Sequence, residues 1–213
     1  EPGWQSRAYP CTFEWDTSRY PAPAAFVKDM LGKGIRLNLW TNPYVSSQAS
    51  IYKDIKPFTA DHTVWVGAVP DLTMPEARDI FFGQLKKSQV NIGISGYKFD
   101  EVDGYDHYLW PDVTIFPSGK SAEQLRQTYG LLIQRYSAAL YHERNQRTYG
   151  LVRASNGGGS SLPYVIYNDY YNHEDFIAAL INSSFAGVLW TPEARASKTG
   201  DEWLRRMQSV VFS

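Results

Sequence analysis

Short apolar runs alternate with amphipathic stretches along the chain, and this alternation constrains the fold more than any other feature. Ile35-Arg36-Leu37-Asn38-Leu39-Trp40 reads as a strand, and Pro75 to Ser88 as a helix opened by a capping box of Thr73 and Glu76. Ile94 to Phe99 is the next strand. After a long loop it is followed by a helix from about Ser121 to Arg144, in which Leu125, Tyr129, Leu132, Ile133, Tyr136 and Leu140 share one face. Ser121 and Gln124 form that helix's capping box. Thr148 to Val152 and Tyr164 to Tyr167 read as two more strands. Asn172 then caps a helix from His173 to about Ser183, with Glu174 and Asp175 set favourably against its N-terminal dipole. Val188-Leu189-Trp190 makes a fifth strand, and a last helix begins near Asp201 with Thr199 and Glu202 as its capping box.

Alternating strands and helices imply a parallel sheet with right-handed crossovers, either an open doubly wound sheet or a (β/α)8 TIM barrel. No Gly-x-Gly-x-x-Gly supports the first. The second is favoured because polar residues recur where strands end, the place where barrels keep their chemistry: Thr41-Asn42, Asp100-Glu101, Arg153, Asn168-Asp169 and Thr191-Pro192-Glu193. The fold class expected is therefore α/β, a (β/α)8 barrel. A complete barrel takes about 250 residues and eight strands. About five βα units in 213 residues predict a partial one, a fragment lacking about three units. The missing initiator Met and the apolar end Val210-Val211-Phe212-Ser213 point the same way. No linker, repeat or low-complexity tract divides residues 1–213, which read as a single catalytic-barrel domain fragment.

Composition narrows the function classes. With 21 Lys and Arg against 22 Asp and Glu, the chain has no basic excess with which to neutralise nucleic-acid phosphates. No apolar stretch reaches the roughly 18 to 20 residues of a membrane span, and Glu1-Pro2-Gly3-Trp4 is not a signal peptide. Cys11, the sole cysteine, excludes an internal disulfide and a multi-cysteine metal site but leaves the compartment open. The partner expected is a small-molecule substrate, and the sequence does not fix the oligomeric state.

The densest polar constellation, Gly96-Tyr97-Lys98-Phe99-Asp100-Glu101-Val102-Asp103-Gly104-Tyr105-Asp106, carries four acids just past a strand. As an EF-hand calcium loop it fails, because a Gly at the sixth position would put Phe99 where the first ligand Asp is required. Another oxygen-ligand metal site around Asp103 and a solvated acidic turn relaxed by Gly104 remain open. So does a catalytic carboxylate at Asp100, with Lys98 on the same side of the strand to support it or to donate to a substrate hydroxyl. Cleavage of a glycosidic bond needs a second carboxyl group. Asp169, at the end of a later strand, is the natural candidate, although Asn168, Asp169 and Asn172 are also ordinary turn and cap residues. Glu193 could instead supply the carboxyl group or line the site, with Arg195 offering it an ordinary ion-pair partner.

The chain resembles glycoside hydrolase family 31, the α-glucosidase and α-galactosidase-like α-glycosidases, along its whole length. Phe13-x-Trp15-Asp16 with Tyr20-Pro21-x-Pro23, Gly34-Ile35-Arg36-Leu37 with Asn42-Pro43, and Trp65-Val66-Gly67 with Asp71-x-Thr73-x-Pro75-Glu76-Ala77-Arg78 are similar to the segments that lead to that family's nucleophile strand. Tyr97-Lys98-Phe99-Asp100-Glu101 is similar to its nucleophile motif. Arg153-Ala154-Ser155 with Gly157-Gly158-Gly159 resembles the next strand and its glycine-rich loop, and Asp169 falls at the acid/base position.

The resemblance implies a retaining double displacement with Asp100 as nucleophile and Asp169 as acid/base, and it needs no metal or organic cofactor. The implied partner is an oligosaccharide or glycoside substrate, in a periplasmic or extracellular setting. Departures fall where the sugar is recognised. Tyr167-Asn168-Asp169 replaces Trp-Ser/Thr-Gly-Asp, and Trp190-Thr191-Pro192-Glu193-Ala194-Arg195 replaces His-Asp-Ile-Gly-Gly. An α-galactoside is thus as compatible as an α-glucoside. Among the tryptophans near strand ends, Trp190 and then Trp40 are expected to stack on a sugar, ahead of Trp65 and Trp110, each having core packing as its alternative. His107 and His173 are weaker candidates. Arg153 is expected at the mouth, where a buried cation needs Asp100 or Asp169 as partner. The contrasting reading is a non-catalytic carbohydrate-binding barrel that has lost its acid/base.

Overall fold

The computed structural model describes residues 2–102, 109–169, 172–192 and 197–211. In chain order its principal elements are helix α1 (Pro23–Gly32), strand β1 (Asn38–Thr41), helix α2 (Tyr52–Ile55), strands β2 (Thr59–Val64) and β3 (Gly67–Pro70), and helix α3 (Pro75–Ser88). These are followed by β4 (Gly96–Phe99), α4 (Ala122–His142), β5 (Gly150–Val152), β6 (Tyr164–Asn168), α5 (His173–Ala186), β7 (Trp190–Pro192) and α6 (Gly200–Val211). Five of the strands form one all-parallel sheet in the order β1-β4-β5-β6-β7, the arc of a partial TIM barrel. β2 and β3 form a separate antiparallel hairpin.

Alternation along each strand sorts the side chains into two sets. Tyr97 and Phe99 are fully buried, and Tyr97 meets Tyr141 of α4 with ring centroids 6.4 Å apart. Tyr164 shares a hydrogen bond with Ser137 of the same helix. These residues face the helical layer, so Lys98 and Asp100, Arg153, and Tyr167 and Asp169 face the barrel axis. α4 covers the sheet with the predicted stripe: Leu125, Tyr129, Ile133 and Leu140 are buried, each such side chain stabilising by about 1.5 to 3 kcal/mol. Helix α4 and the loop after β5 approach closely at Gly130, where a Cβ would lie 2.2 Å from the Ala154 carbonyl oxygen. Gly150 is as tight, with a Cβ position 2.5 Å from the Tyr97 oxygen.

The capping box of α4 is present, Ser121 accepting from the Gln124 amide and Gln124 from the Ser121 amide. Asn172 caps α5 through the Glu174 amide. The box expected of Thr73 and Glu76 is corrected. Met74 is the cap residue of α3, and the Thr73 hydroxyl is drawn to the buried Asp71 carboxylate at 2.6 Å. At α6 the Thr199 hydroxyl accepts from the Glu202 amide, while the Glu202 carboxylate reaches the Lys198 amide rather than that of Thr199. Cys11 is a buried free thiol, and among the described residues no helix is long and apolar enough to cross a membrane.

Candidate active site

Strand register brings the candidate residues together. Phe99 lies opposite Val152 and Val152 opposite Ile166, so the next residues in step, Asp100, Arg153 and Tyr167, emerge at one level on the axis side. Asp169 stands one layer above. The Asp100 side chain is only 9% exposed, and its oxygens are held from three directions. Oδ2 accepts the Trp40 indole N–H at 2.7 Å, while Oδ1 accepts the Glu101 amide at 2.9 Å and an Arg153 guanidinium nitrogen at 3.2 Å.

That same nitrogen donates to Asp169 Oδ2 at 2.6 Å. Arg153 is 3% exposed and Asp169 38%, so one buried cation joins an inner carboxylate to an outer one that reaches solvent. The Lys98 ammonium lies 4.5 Å from the Tyr167 ring centroid, and the Arg153 guanidinium 5.7 Å from it, within cation–π range.

A second group of residues borders Asp100. The Glu101 carboxylate is buried and accepts from Trp65 Nε1 at 3.2 Å and the Tyr9 hydroxyl at 3.4 Å, and the Tyr44 hydroxyl donates to the Glu101 carbonyl oxygen. Tyr9 packs on Trp40 and Trp65, with centroids 5.2 and 5.5 Å apart. Burial first, and the Glu101 charge second, push the Tyr9 phenol far above its ordinary range, so it stays a neutral donor. Glu101 has φ +64°, and at the tip of the β2–β3 hairpin Trp65 and Val66 have φ +53° and +60°. Three non-glycine residues in the left-handed region, two of them joined by the indole–carboxylate bond, concentrate backbone strain beside Asp100.

Lys98, Asp100, Arg153, Asp169 and Trp40 thus converge. Trp40 does so by an edge: it is 3% exposed, its N–H is committed to Asp100 and its ring to Tyr9, which replaces the expected open stacking face. The expectation for Trp190 is corrected. It pairs in register with Ile166, on the helix side of the sheet, and its ring packs against Phe176 of α5 at 5.6 Å, leaving Thr191 in step with Tyr167. Trp110 is core, packed between Phe116 and Tyr129. Glu193 and Arg195, and with them Asp103, Gly104, Tyr105, Asp106 and His107, lie outside the described residues. Among the described residues no group of three His, Cys, Asp or Glu is placed to hold a metal ion. Sequence reasoning assigned no role to Tyr9, Glu101 or Tyr167, although it noted Glu101 at a strand end and Tyr167 in a divergent motif. The position of Glu101 beside a candidate carboxylate was the available signal for one, whereas the other two depend on packing that no local pattern announces.

The sequence model of the glycosyl hydrolases family 31 TIM-barrel domain matches residues 3–212. The α-xylosidase XylQ of Lactiplantibacillus pentosus is 25% identical over 150 residues, 65% of this chain and 19% of that protein. An α-xylosidase of Emericella nidulans is 24% identical over 174 residues, 75% of this chain and 22% of that protein. The chain therefore spans about a fifth of the length of these curated relatives. Among solved structures, a family 31 sulfoquinovosidase from E. rectale in complex with an aza-sugar inhibitor superposes with a TM-score of 0.76 at 21% identity, covering 99% of this chain and 34% of that one. The fold, the ordered motifs and the match across almost the whole chain agree: the chain belongs to glycosyl hydrolase family 31 and forms part of that family's TIM-barrel domain.

Proposed function

We propose that the chain carries the catalytic centre of a retaining α-glycoside hydrolase, within a single catalytic-barrel domain of which residues 1–213 are a part. Asp100 attacks the anomeric carbon as the glycosidic C–O bond breaks, and Asp169 gives its proton to the departing oxygen. Asp169 then takes a proton from water, whose oxygen displaces Asp100 and restores it. Lys98 and Arg153 hold sugar hydroxyls, Trp40 fixes the orientation of Asp100, and Glu193, outside the described residues, is a further candidate for binding substrate.

The observation that carries this reading is the shared nitrogen of Arg153. Bonds of 3.2 and 2.6 Å laid end to end put the two carboxylate oxygens no more than about 6 Å apart. Retaining glycosidases separate their carboxyl groups by about 5 to 5.5 Å and inverting ones by about 6.5 to 9.5 Å, and two carboxylates bridged by a single nitrogen are compatible with the retaining spacing. Members named α-xylosidase and sulfoquinovosidase show that the family's sugars vary, which sets the breadth of the test.

The test is nitrophenol release from aryl α-glucoside, α-galactoside, α-xyloside and α-N-acetylgalactosaminide by the protein that contains this chain, beside its Asp100→Asn variant. Turnover of one sugar that falls by at least about 10³-fold in the variant is expected. Near wild-type turnover in Asp100→Asn would refute the assignment, and sugar binding by calorimetry without any release would favour a carbohydrate-binding barrel instead.

A further inference from the structure

Tyr167 has no part in the double displacement, yet it occupies the centre of the site. It is 1% exposed, and it emerges from β6 level with Asp100 and Arg153. Its ring carries Lys98 and Arg153 at 4.5 and 5.7 Å. Its hydroxyl is buried beside the Asp100 carboxylate and interacts with it, short of a hydrogen bond of full geometry. A buried phenol O–H whose bond is left unmade costs roughly 1 to 3 kcal/mol, so a carboxylate within its reach is worth closing on.

We propose that the Tyr167 hydroxyl donates to the Asp100 carboxylate and tightens on it when sugar fills the site, making Tyr167 a positioning residue for the nucleophile. The inference rests on the reading of Asp100 given above. The ring, gripped by two cations, fixes the direction of the O–H, and the neighbouring acceptor is Asp100, whose other donors come from Trp40, Glu101 and Arg153. Burial first and the Asp100 charge next push the phenol far above its usual range, so it keeps its proton throughout any working pH. Among the described residues, the charged and titratable groups around Asp100 are Lys98 on β4, Glu101 beside it, Arg153 after β5, Asp169 after β6, Tyr167 itself and Tyr9.

The test is covalent labelling with the 5-fluoro glycosyl fluoride of whichever sugar is hydrolysed, followed by mass spectrometry of the Asp100 peptide, across pH and in wild type and Tyr167→Phe. Phenylalanine keeps the ring under both cations and removes only the O–H. The expected result is label on Asp100 in both proteins, with a labelling rate about tenfold lower in the variant and an acid limb displaced upward by about one pH unit. KM for hydrolysis should stay within about twofold, because the cation platform persists. A labelling profile for Tyr167→Phe that overlays wild type, or a raised KM with the acid limb unmoved, overturns the inference while leaving the nucleophile intact. Label landing on another residue in wild type removes Asp100 from its role, and the inference with it.

Discussion

Arg153→Met tests how far the site is held together by one cation. Methionine has similar reach and keeps a contact with the Tyr167 ring, so the substitution removes charge more than volume. Breaking a buried pair by deleting one partner costs about 3 to 5 kcal/mol when the survivor has no other support. Asp100 keeps the Trp40 and Glu101 N–H groups, and its contact with Arg153 is 3.2 Å, long for a charge-assisted bond. These reduce its share to about 2 kcal/mol. Asp169, 38% exposed, turns to water and adds no more than the roughly 0 to 1 kcal/mol of a screened pair. A loss of about 2 to 3 kcal/mol follows, read as a urea midpoint lowered by about 1 M for a typical slope. The double variant Arg153→Met with Asp100→Asn should recover at least about 1 kcal/mol of it, since the stranded charge is then gone. A single variant within about 0.5 kcal/mol of wild type, or a double variant whose losses simply add, would refute the reasoning.

Two further outcomes are expected. Asp169→Ala should slow substrates with poor leaving groups by about 10² to 10⁴-fold while aryl glycosides with good leaving groups lose far less, and equal losses would count against an acid/base at this position. Burial, partly offset by hydrogen bonds from Asn42, Gln5 and Thr41, raises Cys11 from 9.0 to about 11, so the folded chain keeps that proton after the unfolded chain has released it. Stability should therefore fall by about 2 to 3 kcal/mol as pH rises from about 9 to about 11 in wild type relative to Cys11→Ala, measured by unfolding at each pH, and a constant difference would show that the thiol is not shielded as described.

Much of the arc could be read from the chain, because its signals are local. The stripe and box of α4, the Asn172 cap and the apolar cores of β4 and β6 depend on residues a few positions apart. The hairpin escaped because its turn, Trp65-Val66, adopts the left-handed region without the Asn or Gly that announces such turns. Helix α1 escaped because Ala22 at its N-cap makes no side-chain cap bond. Thr73 shows a local motif losing to a nearer carboxylate. Trp190 shows the limit of alternation: its phase within β7 is visible, but which face that phase meets depends on register with Ile166 across the sheet. The convergence of Asp100, Arg153 and Asp169 was foreseen in kind, since strand ends share a mouth. The sharing of one nitrogen between both carboxylates is a matter of ångströms and belongs to packing alone.

Arg153 in that position acts as an electrostatic pivot. In the proposed cycle the negative charge rests on Asp100 while Asp169 holds a proton, then on Asp169 once Asp100 is esterified, and returns to Asp100 with the water step. A guanidinium bonded to both faces a single anion at every stage, first on one side and then on the other. The cation needed to balance the charge is thereby already in place in both half-reactions, with none to recruit as the anion moves.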